Sequence, residues 1–186
     1  MVAGTGGLAV RDLHHTSITL RVRWLWLQST DPEHPWGHLQ LPSDEETRQF
    51  FRVSTTWTIS DGKTCHLWCD HWIEGASIAE IASALILLVP RWRLRQRLVC
   101  DALHDCLWIR DIHGALNPAV VIWYIDLWRR IQLVQLRAEP GIIDWKWTNN
   151  GVYTTSSADK TLFLESGARD LGPPACPVCL LHDHLS

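Results

Sequence analysis

The chain has 186 residues, enough for one domain with a buried core and too few for a multi-domain enzyme. Lys+Arg 17 against Asp+Glu 20 gives a net charge of -3, so any grip on nucleic acid through charge must be local rather than spread over the whole body. With 46% hydrophobic and 20% charged residues the chain has the make-up of a folding sequence, which excludes an intrinsically disordered polymer.

Two inventories are lopsided. Trp 12 stands against Phe 3 and Tyr 2, and the only lysines are Lys63, Lys146 and Lys160, so that 14 of the 17 cations are arginine. Guanidinium forks and indole rings suit phosphate contact and base stacking, although G/C-rich coding produces the same bias. The six cysteines, at 65, 69, 100, 106, 176 and 179, would serve three disulfides in an oxidising compartment. The opening MVAGTGGLAVRDL lacks the apolar core of a signal peptide, so an intracellular setting, nucleus or cytoplasm, is expected. The most apolar run, Ile78 to Val89, carries Glu80 and is far shorter than the roughly 20 residues that cross a bilayer, so no membrane span is expected.

Residues 1–7 are Gly-rich and read as a flexible N-terminus. Leu8–Gln28 mixes Val, Leu, Ile and Trp with Arg and is ambiguous between helix and strand. Within Leu39–Val53, Ser43 with Glu46 three residues later forms a capping box that opens a short helix through Phe50 and Phe51. STTWTIS and KTCHLWC flank Asp61-Gly62, and an Asp-Gly pair between β-rich runs predicts a hairpin because both positions tolerate positive φ.

Ser77-Ile78-Ala79-Glu80 repeats the capping-box pattern, opening one buried helix that Pro90 closes. Leu98–Ile112 spaces Leu98, Ala102, Leu103, Cys106 and Ile109 as the stripe of an amphipathic helix ended by Gly114. Asn117-Pro118 is an N-cap followed by Pro at the first helical position, with Val121, Ile125, Trp128 and Ile131 continuing one face. DWKWT and VYTT around Asn149-Asn150-Gly151 predict a second hairpin, after which Ser156 or Ser157 caps a short helix to about Leu164. Glu165–Ala175 reads as a Gly/Pro-rich linker to a terminal peptide, Cys176–Ser186. The expected architecture is a small α+β domain with two β-hairpins, four or five helices and a disordered C-terminal tail.

The terminal CPVCLLHDHLS is the sharpest metal signal. Cys176 and Cys179 can place two thiolates on one zinc ion, with His182 and His184 following closely. A structural site normally leaves more chain between its ligand pairs, so an open, degenerate tail is the competing reading. In Cys65-His66-Leu67-Trp68-Cys69-Asp70-His71, strand periodicity would put Cys65, Cys69 and His71 on one side; the plainer reading is buried thiols acting as small hydrophobes.

Arg91-Trp92-Arg93-Leu94-Arg95-Gln96-Arg97 holds four arginines in seven residues beside an indole, the local make-up of a nucleic-acid contact with stacking. Its bland alternative is a solvated helix with stems lying on apolar neighbours. Arg21, Arg23, Trp24 and Trp26 form a weaker group of the same kind, and the other indoles are expected in the core. For catalysis there is no adjacent Asp-Asp pair, GxSxG elbow, Walker lysine or HExxH; a Cys/His nucleophile pair, for example Cys100 or Cys106 with His104, is what the chain offers.

Read in order, GGLAVRDL, LRVRWLWLQSTDPEHPW, DGKTCHLWCDHWIEG and DWKWTNNGVYTTSSADKTLF resemble the post-polymerase region of plant LINE-type (non-LTR) retrotransposon reverse transcriptases, running into their zinc-binding domain. The similarity covers residues 6–164, and Leu67, Trp68, Asp70, Trp72 and Gly75 sit where the family pattern of Phe-Trp, Asp, Trp and Gly wants them. The resemblance implies a piece of an element-encoded polyprotein whose larger relatives copy RNA into DNA at a nicked target, with a C-terminal zinc domain that helps hold nucleic acid.

Its departures shape the expectation. The polymerase part with its metal-binding aspartates would precede Met1, so residues 8–164 are expected to be non-catalytic. Cys176, Cys179 and His184-Leu185 match the family's Cys-x2-Cys and His-Leu, but the spacing between them is shortened and the final Cys is not reached; His182 is the substitute ligand. The resemblance therefore implies a non-catalytic fragment with residual RNA, DNA or zinc affinity, and the alternative is a retained RNA- or DNA-binding module using the Arg/Trp segment and the terminal Cys/His site.

Overall fold

The computed structural model describes residues 13–31, 33, 43–115 and 117–169. The elements run α1 (Leu13–Thr30), α2 (Glu45–Ser54), β1 (Thr55–Thr58), α3 (Ile78–Ile81), α4 (Ser83–Ile86), α5 (Arg91–Gln96), α6 (Val99–Leu103), a 3-10 stretch (His104–Asp111), α7 (Pro118–Gln132), β2 (Ile142–Trp145) and α8 (Thr155–Arg169). This is a small α+β fold, as its pattern of caps and stripes predicts.

The ambiguous first segment is helix. Ile18, Val22 and Trp26, four residues apart, are buried on one face of α1, while Leu20 and Leu27 remain exposed. Trp26 stacks on Tyr153 and meets Trp145 edge-on, with ring centroids 6.2 and 6.3 Å apart. The Tyr153 hydroxyl donates to the Thr19 carbonyl at 2.7 Å, tying the chain's late segment to α1. Burial pushes the Tyr153 phenol up to about 12.

Local caps are realised closely. Asp44, one residue later than Ser43, is the N-cap of α2 and accepts from the Thr47 N–H at 2.8 Å. Its carboxyl is held below the usual range by the hydrogen bonds from Thr47, with Arg21 adding to this. The Ser77–Glu80 capping box forms with both of its bonds, and Asn117 caps α7 through the Val120 N–H at 2.9 Å. At α8 the cap is Thr154, whose hydroxyl accepts from the Ser157 N–H at 3.1 Å, rather than Ser156 or Ser157.

The two predicted hairpins do not form. β1 pairs instead with β2, antiparallel, with Thr55 opposite Trp145 and Trp57 opposite Ile143 on the buried face. After Gly62, whose φ is +67°, the chain turns away from β1 and exchanges backbone bonds with the α5–α6 junction. The Val99 N–H donates to the Cys65 carbonyl at 3.0 Å, and the Leu67 N–H donates to the Arg97 carbonyl at 2.8 Å. Leu67 and Trp68 are consecutive and both fully buried, so KTCHLWC lacks the alternation of a half-buried strand. At the second site Gly151 accepts from the Trp145 N–H at 2.7 Å and closes a turn that leads Tyr153 into the core and on to α8.

Two predicted helices are divided. The Ser77-capped helix breaks at Ala82 (φ -133°, ψ 55°) into α3 and α4. The Leu98–Ile112 stripe breaks at Asp105 and Cys106, both left-handed at φ 50° and 53°. The break changes the helical phase: in place of Cys106 and Ile109, Trp108 and Asp111 become the buried pair. Trp108 lies 6.4 Å from Trp68 and 5.8 Å from Trp128, ring to ring, and packs the middle of the domain. Two left-handed non-glycine residues cost roughly 1–3 kcal/mol each, which the burial of Trp108 and the anchoring of Asp111 offset.

Candidate nucleic-acid interface

The Arg91–Arg97 segment is helical, and its periodicity splits it into two faces. Leu94 is buried, and Arg93 and Arg97, on either side of it, reach the carboxylate of Asp111. Arg97 binds it as a fork, Nε to Oδ2 at 2.8 Å and Nη2 to Oδ1 at 2.6 Å. Arg93 Nε lies 3.4 Å from Oδ1, and the Trp68 indole N–H donates to Oδ2 at 3.3 Å. Asp111 is 1% exposed. Its hydrogen bonds raise the pKa of Arg97, so the fork stays charged throughout the ordinary pH range.

The opposite face is open. Arg91, Trp92, Arg95 and Gln96 are exposed, and the Trp92 indole is 52% accessible. The Arg93 guanidinium lies over that ring at 4.0 Å from its centroid, so an anchored cation holds the indole from one side. Arg95 Nη2 lies 3.3 Å from Glu45 Oε2, an exposed pair of the kind worth about 0–1 kcal/mol and readily exchanged for another anion. Of the predicted residues, Arg93 and Arg97 position the helix, while Arg91, Trp92 and Arg95 face outward.

The weaker Arg/Trp group on α1 is not gathered in the same way. Trp26 belongs to the core, and Arg21 pairs with Asp44. The residues that carry the family pattern are structural. Leu67, Trp68, Asp70 and Trp72 are buried, the Trp72 indole donates to the Leu67 carbonyl at 2.8 Å, and Gly75 adopts φ +80° in the turn joining Ile73 to Ala76. Asp70 accepts from the His66 backbone N–H at 2.7 Å and lies 3.5 Å from Arg52 Nε.

Cys65, Cys69 and His71 do not converge. Because the segment is not a strand, they take three separate partners: Cys65 Sγ meets the His66 carbonyl at 3.9 Å, Cys69 Sγ the Leu94 carbonyl at 3.4 Å, and His71 Nε2 the Glu80 carboxylate at 3.1 Å. Burial and the nearby Asp70 push the Cys65 thiol well up, the behaviour of a packed thiol. No group of three His, Cys, Asp or Glu side chains suited to a metal occurs among the described residues. Cys176, Cys179, His182 and His184 lie outside them.

The cysteine and histidine singled out on α6 and the 3-10 stretch each have an acid beside them. His104 Nδ1 faces Asp105 at 3.2 Å, and the Cys100 thiol is raised by burial and by Asp101, away from the thiolate. Asp111 is the residue that sequence reasoning misses; its only trace there is an acid within the apolar stripe of Leu98–Ile112. No helix among the described residues is long and apolar enough to cross a membrane. No known family model, curated protein or solved structure matches the chain.

Proposed function

We propose that this chain is a non-catalytic part of a LINE-type reverse transcriptase, from the region that follows the polymerase, and that it holds single-stranded RNA or DNA through the outward face of α5. The observation that carries the reading is the division of the arginine segment. A buried carboxylate clamps Arg93 and Arg97, and the clamp presents Arg91, half-exposed Trp92 and Arg95 side by side on a rigid element. Arg91 and Arg95 meet phosphates, and Trp92 offers a flat face for a base, a combination that tolerates any sequence. The residues of the family pattern support this assignment indirectly, since Leu67 and Trp68 hold Arg97 and Asp111 in place.

Zinc belongs to the same proposal, with Cys176, Cys179, His182 and His184 as its ligands. The test is binding of fluorescein-labelled oligo-uridine to the full chain by anisotropy. Trp92→Ala and the double variant Arg91→Gln with Arg95→Gln weaken binding about tenfold each while each chain stays folded at the assay temperature. Unchanged affinity in both variants overturns the reading.

A further inference from the structure

Beside α5, on the side of α2, lies a cavity of about 340 Å³ walled by α1, α2, the 64–70 segment and Arg95. Arg48 and Arg52 stand one turn apart on α2 and line the same opening as Arg95. Arg52 Nη1 and Arg95 Nη2 approach a single carboxylate, Glu45, at 3.7 and 3.3 Å, so two guanidiniums share one acid at distances too long for strong bonds. Arg48 Nε is held by the Ser43 hydroxyl at 2.8 Å. The acid on the cavity wall, Asp70, accepts from the His66 N–H at 2.7 Å and lies 3.5 Å from Arg52 Nε. The lining also includes the apolar side chains of Leu25, Phe51 and Trp57, with Phe51 on α2 between Arg48 and Arg52.

Arg52 and Arg95 are met by two acids, Glu45 and Asp70, whereas Arg48 is held by a neutral hydroxyl, so the opening carries one positive charge in excess that an incoming phosphate would meet. Apolar and aromatic side chains beside these cations suit a flat ring, and the volume is at the lower end of small-ligand pockets, roughly 300–1,000 Å³. We propose that this cavity is a nucleotide site, with the phosphate on Arg48, Arg52 and Arg95 and the base against Phe51 and Leu25. Because Arg95 also belongs to the outward face of α5, the inference deepens the nucleic-acid reading by naming a pocket that takes one nucleotide out of the strand. Free nucleotides and strand-borne ones share this chemistry.

The experiment titrates the full chain with uridine 5′-monophosphate, with inorganic phosphate and with oligo-uridine, by calorimetry and anisotropy. Arg48→Gln and Arg48→Glu are the probes, since Arg48 is exposed and its replacement spares the core. Saturable binding of the monophosphate, tighter than inorganic phosphate and weakened about tenfold or more by both variants, supports the site and identifies free nucleotide as an occupant. Loss of oligo-uridine affinity alone in both variants supports it with the strand as the source. Oligo-uridine binding that is weakened by Trp92→Ala but indifferent to both Arg48 variants, with no monophosphate binding, overturns the cavity and leaves the α5 interface standing. Monophosphate binding sensitive to Arg48 without any affinity for oligo-uridine does the reverse.

Discussion

Replacing Asp111 by Asn tests whether the arginine segment is held from beneath. The substitution keeps the shape of the side chain and removes its charge, leaving the Arg97 fork, Arg93 Nε and the Trp68 indole N–H directed at a neutral amide. Breaking a buried charge pair by removing one partner costs roughly 3–5 kcal/mol. The Arg97 side chain keeps 12% of its exposure and can recover some hydration, so the expected loss is near the lower end, about 3 kcal/mol. Arg95→Gln, which removes only the exposed contact with Glu45, should cost no more than about 1 kcal/mol. Urea unfolding followed by tryptophan fluorescence reads both, and the double replacement Asp111→Leu with Arg97→Met should recover only part of the loss, because it removes the Arg97 charge with its partner but leaves Arg93 Nε and the buried Trp68 N–H without the acid they meet. If Asp111→Asn costs no more than Arg95→Gln, the clamp is not what fixes α5.

Gly62→Ala should destabilise by about 1–3 kcal/mol in the same unfolding assay, because its φ is +67° and an added Cβ would lie 2.9 Å from the Cys100 backbone nitrogen; a neutral result would mean that the chain does not cross there. In a Tyr124→Phe background, where Tyr153 is the remaining tyrosine, ultraviolet titration should show phenolate only near pH 12. The folded pKa is raised, so the associated stability is complete below the unfolded value near 10 and is lost as pH climbs towards 12; ionisation at the ordinary value in the folded chain would refute the burial of that ring. The purified chain should carry sub-stoichiometric zinc by atomic emission, and Cys176→Ser should remove it; zinc fully retained in that variant would place the ion elsewhere.

What the sequence makes legible is what neighbouring residues decide. Asn117-Pro118, the Ser77–Glu80 box and the start of α2 depend on one turn of backbone, and each cap falls where expected or one residue beyond. Asp44 displaces Ser43 because its carboxylate serves both the Thr47 N–H and Arg21. The hairpins fail because Asp61-Gly62 and Asn149-Asn150-Gly151 specify a turn and not the strand that follows it; the true partner of β1 is β2, far along the chain.

The site was half visible. Four arginines around an indole mark the segment, yet nothing local says which of them face inward. That depends on Asp111, and Asp111 reaches Arg97 only because Asp105 and Cys106 leave the helical region and shift the phase of everything after them. Non-local pairing and a strained kink are the two features that pattern reading does not reach.

The most direct measurement is the salt dependence of oligo-uridine binding by the wild-type chain and by the double variant Arg91→Gln with Arg95→Gln. The account predicts that log affinity falls linearly with log salt, and that the variant's slope is shallower by roughly 0.7 for each phosphate contact removed. Parallel lines of equal slope, or binding that ignores salt altogether, would contradict it.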